Sequence, residues 1–220
     1  MRSILLIIVI LVVVLLFLGV AVLLLVNRIG RARFRKEVAA DGHSYTADDP
    51  AMLERFQAPP FGLGGEKRAY DVVRGQRDGR PFSYWTQDWW ASRALPQSGR
   101  DRSLGDKHAI AVAAVDLDGQ RPVLDIVTHR MGDDEFVPIG QQLPDHPGLP
   151  GVSIFGDDPA YAAQVLTDDL VARIAAQPVE DRINLRVAEG AAIAWSDPAN
   201  KGSAEWRDIV DAAQVLATRA

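Results

Sequence analysis

A run of 23 apolar residues, from Ile4 to Val26, constrains this chain more than any other feature. It contains no charge and no proline, and only Gly19 interrupts it. At about 1.5 Å per residue, a helix of this length reaches about 34 Å, enough to cross a hydrocarbon core of about 30 Å. Because a single segment in lipid can pair its backbone groups only as a helix, the run predicts one transmembrane helix over residues 4–26.

The residues after this run form a basic collar, which consists of Arg28, Arg31, Arg33, Arg35 and Lys36. On the other side, the short N-terminus of residues 1–3 carries only Arg2. The positive-inside rule therefore predicts a single-pass protein of the cell membrane with a cytoplasmic C-terminal domain. We expect the basic collar to contact anionic lipid head groups, an attraction of about 1 kcal/mol for each cation near the surface.

A cleaved signal peptide is the alternative, and it would export the domain. The apolar run is longer than the 7–15 residues of a typical signal core, and the basic region before it is weak. The small residues that could form a cleavage site, Val38 to Ala40, lie well beyond Val26. We therefore predict a retained signal anchor.

The charge of the chain changes sign after the basic collar. Residues 41–220 contain 18 basic and 28 acidic residues, which gives a net charge of −10. This balance argues against a nucleic-acid binder, since phosphate contacts need a basic face. The absence of cysteine excludes disulfides, thiolate catalysis and cysteine-ligated metals. We predict a basic juxtamembrane segment and linker over residues 27–49 and one soluble domain over residues 50–220.

Three pairs of strand-like segments predict antiparallel hairpins in this domain. Turn signals separate the two members of each pair: Asp78-Gly79, Asp118-Gly119 and Glu189-Gly190. The segments are 67–74 with 81–90, 108–117 with 121–130, and 182–187 with 191–195. The nearly continuous apolar character of residues 108–117 predicts a central strand that is covered on both faces.

Helical patterns flank these segments. Asp49-Pro50 is typical of a helix start and predicts a short helix over residues 51–56. A second helix is predicted from Pro159 to about Ala176. A third ends the chain, with Trp206, Ile209, Val210, Ala213, Leu216 and Ala217 on one face. The fold class is therefore α+β: a mostly antiparallel sheet built from hairpins, with two C-terminal amphipathic helices packed on it.

Short motifs along this domain resemble an uncharacterised family of single-span bacterial membrane proteins with a C-terminal domain of unknown function. They are the PPF-GLG segment at residues 59–64, the V-x-R-G and G-R-P-F elements between Val72 and Phe82, and the FGDDPAYAAQVLTDDL run at residues 155–170. The resemblance covers about residues 53–219. It implies the same architecture and brings no catalytic residues and no cofactor.

One cluster of residues could bind a metal. His129 lies close in sequence to Asp133, Asp134 and Glu135, and imidazole with carboxylates suits a divalent cation. An acidic loop in water is the simpler interpretation of the same residues. The aromatic segment at residues 82–90 could likewise stack on sugars or bases or lie at the lipid interface, but rings that fill the core and its rim are the simpler interpretation.

Two functional hypotheses follow. The first is a membrane-anchored, non-catalytic protein-interaction or scaffold module with an unknown protein partner and no cofactor. The second is a metal-dependent or other hydrolase that uses the region of His129, Asp133, Asp134 and Glu135. We favour the first, because no nucleophile is paired with a base anywhere in the sequence.

Overall fold

The computed structural model describes residues 2–62, 65–90, 107–128, 138–177, 183–196 and 206–220. The chain divides into two units, Met1–Gly42 and His43–Ala220. The first unit is helix α1, Arg2–Ala40, which includes both the apolar run and the basic collar. By length and composition α1 is a candidate membrane anchor. The helix ends at Ala40, and Gly42 follows with a φ of +80°, the left-handed conformation that glycine adopts without strain.

The second unit is built on one nine-stranded sheet in which every neighbouring pair is antiparallel. The strand order across the sheet is β1-β2-β3-β4-β9-β8-β5-β7-β6. The strands are β1 Ser44–Asp48, β2 Gly65–Arg77, β3 Arg80–Trp90, β4 Lys107–Asp116, β5 Leu124–Val127, β6 Gln141–Gln142, β7 Ser153–Gly156, β8 Asn184–Ala188 and β9 Ala191–Ser196. With its C-terminal helices, this sheet confirms the predicted α+β class.

Two of the three predicted hairpins are present. Strands β2 and β3 meet at Asp78-Gly79, and strands β8 and β9 meet at Glu189-Gly190. All four turn residues have positive φ, between 52° and 77°, as a type I′ turn requires. This turn twists in the same sense as the strands it joins, so the hairpins form from local sequence.

The third predicted hairpin, across Asp118-Gly119, is wrong. Strand β4 pairs with β3 and β9, whereas β5 pairs with β8 and β7. Only Gly119 has a positive φ, so the dipeptide does not form a type I′ turn. The β8–β9 hairpin lies between β4 and β5, so that β9 pairs with β4 and β8 pairs with β5. The central position predicted for residues 108–117 is nevertheless correct, because Ile110 to Val115 are all buried.

The sheet also begins earlier than predicted. Strand β1 lies within residues 27–49, which the sequence predicts as juxtamembrane segment and linker. In the described structure this edge strand pairs on one side only, with β2. Its five residues are exposed or half-buried, so the strand lacks the alternation of apolar and polar residues that marks a half-buried strand.

The helices are shorter than their sequence patterns indicate. The first is a 3-10 helix, Pro50–Glu54, capped by Asp49, whose Oδ1 accepts a hydrogen bond from the Ala51 N–H at 3.1 Å. The helix predicted over residues 159–176 is two helices, α2 Pro159–Val165 and α3 Asp168–Ala175. Thr167 caps α3 with its hydroxyl oxygen and so starts a new helix. The last helix, α4, covers Trp206–Ala217, and the six residues predicted to share a face are all buried.

Alternation along the strands gives the sheet two different faces. The aromatic face carries Trp85, Trp89, Ile110, Val112, Ile193 and Trp195, which pack with Met52, Phe56 and Phe61 from the segment before β2. The helical face carries the intervening residues. There Trp206 of α4 packs against Phe82 and Tyr84 of β3, with ring centroids 6.5 and 6.2 Å apart. The sheet is therefore covered on both sides, by short irregular segments on one and by helices on the other.

Candidate functional site

A groove opens on the helical face between α3 and α4. Its volume is about 530 Å³, within the range of ligand pockets in general. The floor is apolar and is formed by Leu170, Ile174, Ile183 and Leu185. Ala212 and Val215 of α4 form one wall, and the rim carries Arg173, Gln177, Asp208 and Asp211. We call this feature the α3–α4 groove.

Helical periodicity explains how α4 contributes to the α3–α4 groove and to the core at once. Residues 208, 211, 212 and 215 recur at the three- and four-residue spacing of one helix face. This face borders the groove, while the seven buried residues of α4 face the sheet. Ala212 is half-buried and has the smallest side chain among these four residues. The groove therefore follows from the sequence of α4.

Polar contacts hold α4 in place from the sheet side. Arg80 Nη1 donates to the Ala217 carbonyl at 3.0 Å, and Gln214 Nε2 donates to the Arg77 carbonyl at 3.2 Å. Arg77 also forms an ion pair with Asp211. These contacts attach α4, and with it the groove wall, to the β2–β3 hairpin of the sheet.

Asp169 of α3 forms surface ion pairs within α3 and with a residue that follows α4. Its Oδ2 accepts from Arg173 at 3.2 Å, four residues later on α3, and lies 3.4 Å from Arg219 Nη2 just after α4. All three side chains are more than two-fifths exposed, so each ion pair contributes little to stability. The contacts nevertheless link the two helices that border the groove.

The acidic residues on the rim differ in their surroundings. Burial raises the pKa of the Asp211 carboxyl above its usual value, although the charge of Arg77 opposes this shift. Asp208 lies one turn earlier and is exposed. Among the residues that the structure describes, Asp208 forms no ion pair. The rim therefore offers one exposed carboxylate beside an apolar floor.

The aromatic segment of β3 lies in the core. Trp85 and Trp89 are at most 1% exposed, and Trp85 stacks on Phe56 with centroids 6.0 Å apart. Phe82 and Tyr84 contact α4 on the other face of the sheet. Only Trp90, which is 37% exposed, is accessible at its surface. These rings stabilise the fold and do not form a binding surface for sugars or bases.

A buried ion pair on the aromatic face was not predicted from the sequence. Arg186 of β8 and Asp125 of β5 lie opposite each other and are fully buried. They pair through two parallel contacts, of which Arg186 Nη2 to Asp125 Oδ2 measures 2.7 Å. Arg186 Nη1 also donates to the Pro59 carbonyl at 2.6 Å, and Asp125 accepts from the Ile139 N–H at 2.8 Å.

The aromatic rings around Arg186 complete its surroundings. Its guanidinium carbon lies 5.2 Å from the ring centroid of Trp195 and 5.8 Å from that of Phe61, distances at which a cation is attracted to a ring face. Buried polar groups are costly unless they are paired, and here the donors on both sides of the guanidinium have acceptors. The pair and its two backbone contacts therefore join four segments of the domain, and the pair is closed to ligands.

The predicted metal cluster of His129, Asp133, Asp134 and Glu135 lies outside the described residues. Within the described ranges, no group of three histidine or acidic side chains could hold a metal ion. The five residues of the basic collar lie on α1, and all are exposed. Their contact with lipid head groups stays a prediction.

The comparisons with known proteins give one likeness of fold. No protein-family model matches the chain, and no curated protein matches it. Among solved structures, the crystal structure of the mycobacterial trehalose monomycolate transport factor A, TtfA, is similar, with a TM-score of 0.61 and 13% identity. The match covers 86% of this chain and 92% of that chain. At this identity the likeness shows a shared fold alone, and the predicted family resemblance stays a prediction.

Proposed function

We propose that the chain is a membrane-anchored, non-catalytic interaction module and that the α3–α4 groove is its docking site. The observation that carries the proposal is the composition of that groove: an apolar floor with charges only at the rim. The described residues that line it include no histidine, serine or threonine. Asp211, whose pKa is raised, faces a structural arginine. The groove thus offers apolar area for binding without a general base and nucleophile pair.

Location follows from α1 in this proposal. The apolar run spans the cell membrane once, the basic collar remains on the cytoplasmic side near anionic head groups, and the domain is cytoplasmic. A protein partner that meets this domain is then itself a membrane protein or a protein recruited to the membrane. Because TtfA is a transport factor, we propose a component of a membrane transport assembly as the partner.

The natural absence of cysteine allows a clean test in cells. We suggest two single-cysteine variants of the full-length chain: Ala212→Cys in the α3–α4 groove, and Ala163→Cys on the exposed side of α2 as the matched control. A membrane-impermeant maleimide is expected to label Ala163→Cys only after the cells are opened. Labelling in intact cells would contradict the cytoplasmic location.

The same variants test docking through a permeant maleimide–benzophenone crosslinker. Irradiation is expected to join one reproducible membrane-associated protein to Ala212→Cys and to leave Ala163→Cys without it, because only the first position lies in the groove. If both positions yield the same products, or if neither yields any, the groove is not the docking site. The crosslinked protein can be identified by mass spectrometry.

A further inference from the structure

The shape of the α3–α4 groove limits what can fill it. Helices α3 and α4 border two of its sides, and strand β8 forms part of its floor. Asp208 and Val215 mark its two ends on α4 and are seven residues apart, which is about 10.5 Å along a helix. Two turns of a helix have the same length. An α-helix laid beside α4 therefore presents residues i, i+3 or i+4, and i+7 to the groove.

The charges at the rim decide which chemistry fits. Arg173 is paired with Asp169, and Asp211 is paired with Arg77. Asp208 forms no ion pair within the described parts of the chain, and residues 41–220 carry a net charge of −10. A ligand with an anionic head would meet like charges here, whereas a cation would meet an exposed carboxylate. The rim thus favours a basic group beside an apolar stripe.

We infer that the α3–α4 groove binds an amphipathic helix of the partner protein. Three apolar side chains at i, i+3 or i+4, and i+7 fill the floor, and a lysine or arginine of the same helix pairs with Asp208. This inference rests on the proposed function and adds the chemistry of the partner. The apolar anchors supply the affinity, and the cation fixes the position of the helix along α4.

The test uses the full-length chain in nanodiscs of a zwitterionic lipid and a random library of displayed 16-residue peptides. We expect the enriched peptides to share apolar residues at helical spacing together with a lysine or arginine. Binding of the synthesised peptides is then measured by fluorescence anisotropy. Enrichment of peptides without helical spacing, or with acidic residues in place of basic ones, would overturn the inference.

Three variants locate the binding. Ala212→Trp fills the groove and is expected to weaken binding at least about tenfold, since it takes the space of the apolar anchors. Asp208→Lys changes an exposed residue and leaves the groove open. It should weaken the binding of basic peptides about tenfold and reduce the dependence of this binding on salt. Ala163→Trp, on the exposed side of α2, is the control. Equal binding by all four proteins would show that the peptides attach elsewhere.

A lipid chain is the competing occupant, and the same assay separates it. Fluorescent palmitate and anionic phosphatidylglycerol vesicles are the probes. If palmitate binds the wild-type chain and displaces the peptides, and if Ala212→Trp abolishes palmitate binding, then the groove takes acyl chains and the inference fails. The outcomes remain distinct from those of the proposed function. If a protein is crosslinked at position 212 but no helical peptides are enriched, the proposed docking site is retained. Only the inference of a helical partner then fails.

Discussion

The two faces of the sheet are closed in different ways. On the aromatic face, tryptophan and phenylalanine rings fill the space above the strands, and the Arg186–Asp125 pair there is fully buried and bonded. On the helical face, α3 and α4 leave a groove of about 530 Å³ whose wall residues are half-buried. A face that is filled by its own side chains leaves no accessible surface for a ligand. The difference therefore leaves the helical face as the one on which we propose binding.

The largest expected effect comes from breaking the buried pair. Arg186→Met leaves the Asp125 carboxylate buried without its partner and is expected to lower the free energy of unfolding by about 3–5 kcal/mol. Arg186→Met combined with Asp125→Leu should lose clearly less, because no buried charge then remains. The measurement is urea unfolding of the full-length chain in detergent, followed by tryptophan fluorescence.

The control for this pair is Arg173→Met, which removes an exposed arginine from the groove rim. We expect it to change stability by less than about 0.5 kcal/mol, since exposed ion pairs contribute little. If the single Arg186 variant and the control unfolded at the same urea concentration, the buried pair would have no special role on the aromatic face.

A matched pair of valine substitutions compares the two faces directly. Val112→Ala removes two methyl groups from a fully buried residue of the aromatic face and is expected to cost about 2 kcal/mol. Val215→Ala removes the same groups from the half-buried wall of the groove, where alanine also favours the helix, and should cost less than about 0.5 kcal/mol. Similar losses in the same urea experiment would mean that the groove wall is as tightly packed as the core.

The smallest effect is expected at Asp211 and depends on pH. Because burial raises the pKa of this carboxyl in the folded state, the folded chain binds the proton more tightly than the unfolded chain. Stability therefore falls as the pH rises from the ordinary aspartate range through the folded pKa. Asp211→Asn, which cannot ionise, should match the wild type below that range and be slightly more stable at pH 7.

A simple count of ion pairs predicts the opposite for Asp211→Asn, because the variant loses the contact with Arg77 and should then be less stable than the wild type. Thermal unfolding at several pH values between 3 and 7 distinguishes the two views. A variant that is less stable than the wild type at pH 7 would show that the attraction of Arg77 exceeds the cost of burial.

Features that depend on neighbouring residues could be predicted from the sequence. The type I′ dipeptides at residues 78–79 and 189–190 identified two hairpins, and the apolar spacing along α4 identified its buried face. Thr167 could also have been recognised, since it is a good helix cap followed by two acidic residues, but the apolar stripe continues across it. The pattern of the stripe therefore hid the break between α2 and α3.

The candidate site could not be predicted in this way. Its lining comes from three separate segments, at residues 170–177, 183–185 and 208–215, and no one of them differs from an ordinary amphipathic element. The buried pair is likewise a product of strand order. Arg186 and Asp125 are 61 residues apart in sequence and meet only because β8 lies beside β5. The wrong hairpin at residues 118–119 has the same origin.

The strand order also determines when the sheet can be completed during biosynthesis. Strands β4 and β5 emerge from the ribosome well before residues 184–196, which supply the hairpin between them. Until then the nascent chain holds two incomplete half-sheets, each with an open edge, and such edges are prone to pair with other chains. Emergence of residues 184–196 then joins the two half-sheets. A stop codon before residue 184 would leave two fragments of a sheet that have no strand in common.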